Sequence, residues 1–138
     1  MVGHRCAQVV AGLSRALGGV SSLAGLEQAL VGFVTGFEQL GMPGCPIGTL
    51  ATEVAARNED ARLQAAAGFD AWERLLADAL ERMRQRGELR ADAEPAALAT
   101  GLLASIEGGM VLSQTRRDIA SLRIAVAAGL GPVRARLS

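Results

Sequence analysis

PAALATGLLASIEGGMVLSQ, the run from Pro95 to Gln114, is apolar on two sides at once. At helical spacing Leu98, Leu102, Ser105, Gly109 and Leu112 form one stripe, and Leu103, Glu107, Met110 and Gln114 form a second about 100° away. A helix with two apolar sides needs two neighbours, so this run is expected to be a helix packed on both sides. Gly108-Gly109 lowers helix propensity by roughly 2 kcal/mol against Ala-Ala, which is intelligible if another backbone approaches closely there. Glu107 is the only charge between Ala96 and Gln114. A carboxylate on so apolar a helix is costly unless it is paired, so it is expected to meet an arginine or to face a ligand cavity.

The flanks carry the same period. Upstream, Asp92 or Glu94 can cap this fifth helix with Pro95 in its first turn. Downstream, Asp118 is expected to cap a sixth, with Ile119, Leu122, Val126, Leu130, Val133 and Leu137 on one face and a kink at Gly131-Pro132. Between Asn58 and Gly87 there is no proline and one glycine, Gly68, which gives a fourth helix of about 28 residues or ~42 Å. Its stripe is Leu63, Phe69, Trp72, Leu76, Leu80 and Met83. Nearer the start, Arg5 to Leu17 reads as a first helix stopped by Gly18-Gly19, and Ser21 or Ser22 caps a second with the stripe Leu23, Leu26, Leu30, Phe33, Phe37, Leu40. A third begins at Pro46 and passes through Ile47, Leu50, Ala51 and Val54. No segment alternates as a strand would, and the fold class is all-α with six helices.

Composition narrows the function. The 138 residues suit one domain with one core, and 14 arginines balance 14 acidic residues with no lysine at all. A neutral chain lacks the cationic footprint of a nucleic-acid binder. Cys6 and Cys45 are too few and too far apart for a disulfide framework or a metal motif, so a reducing cytoplasm is the expected location. The apolar segments Ala96 to Ile106 and Ile119 to Val133 read as too short for a membrane span or as interrupted by Arg123, and no targeting signal precedes them.

Catalysis is not indicated. His4 is the single histidine, no nucleophile lies beside it at helical spacing, and the glycines Gly41, Gly44 and Gly48 follow a helix rather than a strand, unlike a phosphate loop. No metal or cofactor is expected. Arg82, Arg84, Arg86 and Arg90 are interleaved with Glu81 and Glu88 and read as a solvated helix end. More informative are Phe33, Phe37, Met42, Trp72 and Met110, which would converge if their helices pack together. With Glu107 and Gln114 at the edge they would form either an apolar ligand pocket or a closed core.

Gly44-Cys45-Pro46-Ile47-Gly48-Thr49-Leu50-Ala51, the single Trp72 in a long helix, Gly87-Glu88-Leu89, Ile106-Glu107-Gly108-Gly109 and Arg117-Asp118 occur in one order. Together they resemble the C-terminal regulatory domain of TetR-type transcriptional repressors, over essentially the whole of residues 1–138. The resemblance implies a domain that binds a small, often apolar inducer among its middle helices. It also implies a homodimer, made through a four-helix bundle of the last two helices of each subunit. The inducer would shift the separation of two N-terminal helix-turn-helix heads and so release operator DNA. In its light the aromatic set, with Glu107, becomes the expected pocket, and Leu98, Leu102, Ser105, Gly109, Leu112, Leu122 and Val126 become the expected dimer contacts. The family pattern includes about three further N-terminal helices that these residues lack. Operator DNA would therefore be reached only through a head outside this chain. The alternative reading is a helical dimerisation or adaptor module without ligand, such as a headless partner in mixed dimers.

Overall fold

Ser22 and Asn58 begin two helices where their side chains imply. Ser22 Oγ accepts the Gly25 N–H at 3.0 Å and Asn58 Oδ1 accepts that of Ala61 at 3.1 Å, each satisfying a backbone donor of a first turn. The computed structural model describes residues 2–138, with side chains from residue 4 onward. Its helices are α1 (Val2–Leu17), α2 (Leu23–Gln39), α3 (Pro46–Thr49), α4 (Glu59–Gln85), α5 (Pro95–Arg116) and α6 (Ala120–Arg134). A π-helical turn over Leu50–Val54 continues α3. No strand occurs among the described residues, whose single isolated bridge pairs Leu89 with Leu137. The fold is all-α with six helices, as the periodicity implies.

The pairing of α5 with α6 depends on glycine. A Cβ built on Gly109 would lie 2.6 Å from Ala125 Cβ and 3.0 Å from Leu122 Cα, and one built on Gly129 would lie 2.9 Å from Leu102 Cδ1. Each helix thus presses a neighbour into the gap left by the other's missing side chain. Gly108, by contrast, faces open space, so the close approach expected of the pair belongs to Gly109 alone. Ser113 is fully buried in the same seam and its Oγ accepts the Leu122 N–H at 2.8 Å. Asp118 Oδ1 takes the Ala120 N–H at 2.9 Å. The start of α6 is therefore secured by two side chains where the sequence suggests only Asp118. Pro132 lies inside α6, which continues to Arg134.

α4 is the central strut, with Trp72, Leu76, Leu80 and Met83 all 1% exposed or less. Gly68 on α4 leaves a notch for Ile47, whose Cδ1 would be 3.1 Å from a Cβ there. Leu63 and Leu40, expected on inward stripes, are 51% and 76% exposed, because Leu63 lies off the α4 face on which Ala61, Ala65, Gly68 and Trp72 are buried and Leu40 follows the last residue of α2. The arginines at the end of α4 do more than face solvent. Arg82 donates from Nε to the Val20 carbonyl (2.7 Å) and from Nη2 to the Leu17 carbonyl (2.9 Å), and Arg86 donates to the Ser21 carbonyl (2.9 Å). These bonds fix the α1–α2 connection to α4. On length and apolarity alone α5 could cross a membrane, contrary to the sequence reading of that region, but it lies packed against both α4 and α6.

Candidate ligand cavity

Glycines on α2 hold open a cleft between α1 and α2. Gly25, Gly32 and Gly36 are spaced seven and four residues apart and share one helix face. A Cβ on Gly32 or Gly36 would meet nothing within 4 Å. The cleft has two lobes. One, of about 740 Å³, lies toward the Leu17–Ser22 connection; the other, of about 580 Å³, lies toward the loop that leads into α3. Gln8, Val9, Gly32, Phe33 and Trp72 line both, so the lobes adjoin along one stretch of α2. Either volume is in the range of small-molecule sites.

Trp72 reaches this cleft from α4 and meets Phe33 of α2 with ring centroids 5.7 Å apart and planes tilted by 56°. That geometry suits the aromatic quadrupoles and sets a firm apolar floor. Of the side chains expected at a pocket, Phe33, Phe37, Trp72 and Met110 line the cleft. Met42 and Glu107 do not. Met42 takes a left-handed conformation (φ 55°) in the exit loop and packs against the core. The glycines of α2 and the α1 residues Gln8 and Val9 are not among the residues expected at the pocket. Their one signal was a helix face of α2 on which side chains are missing, and a missing side chain announces a cavity only once the opposing helix is in place.

Glu107 lies against the loop that leads into α3. A Cβ on Gly48 would come 2.7 Å from Glu107 Oε2, and one on Gly44 (φ 84°) would come 2.8 Å from Gln114 Nε2. The two polar side chains of α5 therefore lie against the Gly44–Gly48 loop, where a side chain at either glycine would have to displace them and where the positive φ of Gly44 itself favours glycine. No arginine pairs with Glu107 among the described residues; the Cys45 thiol is its hydrogen-bonding neighbour, and Oε1 is buried without a partner. Burial pushes the Glu107 carboxyl above its ordinary range, offset in part by the Cys45 bond. Burial, then the adjacent Glu107 charge, pushes the Cys45 thiol up to about 12. It is a neutral donor rather than a nucleophile.

The sign of the resulting pH dependence follows from linkage. A carboxyl whose pKa is higher folded than unfolded contributes stability that is fully present below the unfolded pKa and is lost as pH rises through the folded one. Glu107→Gln cannot ionise. The melting temperature of the variant relative to the wild type is expected to rise with pH from the ordinary glutamate range upward, and parallel melting curves across that interval would contradict the burial argument.

The expected dimer contacts divide in two. Leu102 and Leu122 are completely buried, and Gly109 and Val126 are buried, in the seam between α5 and α6 of the same subunit. Leu98 and Ser105 are half-buried, while Leu112 is 43% exposed. The outward face of the pair carries Ala97, Gly101, Ala104, Gly108, Ile124 and Ala127, all exposed and uncharged. No group of three or more His, Cys, Asp or Glu suited to a metal ion occurs among the described residues.

A family model described as the C-terminal domain of LmrA/YxaF-like transcriptional regulators matches residues 23–128. No curated protein and no solved structure matches the chain.

Proposed function

The chain belongs to the LmrA/YxaF-like group of TetR-type transcriptional regulators through their C-terminal domain, and from that premise we propose that residues 1–138 are the part that senses a small apolar inducer and pairs two subunits. The observation that carries the sensing role is the two-lobed cleft floored by Trp72 and Phe33, a large apolar volume where a closed core would have side chains. A ligand wedged between α1 and α2 would bear on the connection that Arg82 and Arg86 tie to α4. Movement of α1 would then pass to a DNA-binding head joined before it, and operator DNA would be released. The domain itself carries out no catalysis and works in the cytoplasm.

Pairing is supported by the outward face of α5 and α6. Ala97, Gly101, Ala104 and Gly108 recur at intervals of four, three and four, and Val111 and Ile124 beside them are 55% and 69% exposed. Small uncharged side chains at that spacing let a second helix pair approach closely. The dimer contacts proposed here are these residues with Leu112, rather than the set folded into the seam.

Thermal-shift measurement with a broad panel of apolar compounds tests the reading, with light scattering on the same sample. A ligand at a hundred times its dissociation constant should add about 2.7 kcal/mol of stability, and the scattering mass should be that of two subunits. A panel without any stabilising compound would remove the sensing role, and a monomer at micromolar concentration would remove the pairing.

A further inference from the structure

We propose that both lobes of the α1–α2 cleft are filled by one elongated ligand, an apolar chain of long-chain fatty-acid type whose carboxylate lies at the Arg5 end. This rests on the cleft being the inducer site and adds the shape and charge of its occupant.

The shape follows from adjacency. From Gly25 to Leu40, α2 provides about 22 Å of helix at the standard rise, and cleft-lining residues occur along that whole length. The two lobes meet at Gly32 and Phe33 above the buried Trp72 ring, so a chain that fills both runs past that point of α2. At Gly32 and Gly36 the absent side chains leave open space rather than a packed helix contact. A compact ligand would leave one lobe unfilled; an extended chain buries apolar surface in both.

The charge follows from the lining. Among the described residues neither lobe is lined by aspartate or glutamate, and Arg5, at the exposed rim of the lobe near the α3 loop, is the one charged side chain lining either. An organic cation would lose its hydration there without a counter-charge. A carboxylate would gain a charge-assisted bond from the guanidinium.

Trp72 is the only tryptophan, so its emission reports occupancy directly. Titration of the chain with saturated acids from octanoic to stearic, and with the matched alcohols, should show affinity rising about three- to fourfold for each added methylene and acids binding more tightly than alcohols. Arg5→Gln should remove the preference for acids. Gly32→Leu places a branched side chain where the lobes meet, in open space and with better helix propensity than glycine, so its melting temperature should not fall. That variant should keep octanoic acid and lose the long acids. A gain with length that stops at the shortest chains, alcohols binding as well as acids, or long acids binding Gly32→Leu unchanged would each overturn the proposal. If a compact hydrophobic compound still alters Trp72 emission in that event, the inducer-site reading stands without it. Silence from acids and compact compounds alike removes both.

Discussion

Gly109→Val is expected to destabilise the chain by about 3 kcal/mol, the upper part of the range for overpacked interiors, and to lower its melting temperature by roughly 10 °C. The first atom added at residue 109 would already stand 2.6 Å from Ala125 Cβ and 3.0 Å from Leu122 Cα. Neither of those is the free end of a flexible side chain. Relief would require α6 to move as a body, which would also disturb Gly129 against Leu102 and the bond from Leu122 N–H to Ser113 Oγ. The valine's better helix propensity returns only about 0.4 kcal/mol. Gly32→Ala is the matching control, because its new methyl meets nothing within 4 Å and should stabilise α2 by up to about 1 kcal/mol. Chemical denaturation of the two variants beside the wild type decides the matter: equal midpoints for Gly109→Val and the wild type would refute the close approach.

Trp72→Ala should lose about 3–5 kcal/mol, as for other buried aromatic truncations. Trp72 is 1% exposed, supports Phe33 at 5.7 Å and floors both lobes, so its removal would merge the cleft with the interior beneath α2. Trp72→Phe keeps a ring in the same place and should lose clearly less. A Trp72→Ala protein as stable as the wild type would mean that the floor had collapsed to fill the space. The same two variants read the ligand: affinity for an apolar compound, followed by calorimetry, should fall far more in Trp72→Ala than in Trp72→Phe.

The helices were legible because each rule they obey is local. Ser22, Asn58, Gly18 and Pro46 act on backbone groups within one turn, and they start or stop helices at the expected places. Phe33, Phe37, Trp72 and Met110 were legible as a convergent set because aromatic and soft side chains at helical period must point inward. Glu107 was legible as a problem but not as a solution. Nothing within a few residues of it predicts that the Gly44–Gly48 loop would settle on α5 and bring Cys45 alongside. Val34, buried on α2, fell outside the expected stripe, whereas Leu40 within it is exposed, since a stripe gives a direction and not where the neighbouring helix ends.

By itself the sequence determined an all-α chain of six helices, a fifth helix with neighbours on two sides, and membership in a family of regulators recognised from short motifs in order. Period, capping and turn chemistry suffice for these, because they concern atoms close together along the chain. Only the tertiary structure decided which apolar residues of α5 and α6 are used within the subunit and which remain outside, that Arg82 and Arg86 bind the α1–α2 connection, and that the glycines of α2 bound an open cleft. The physical reason is that a contact or a void is a relation between two surfaces, and a one-dimensional pattern specifies each surface without specifying what stands opposite.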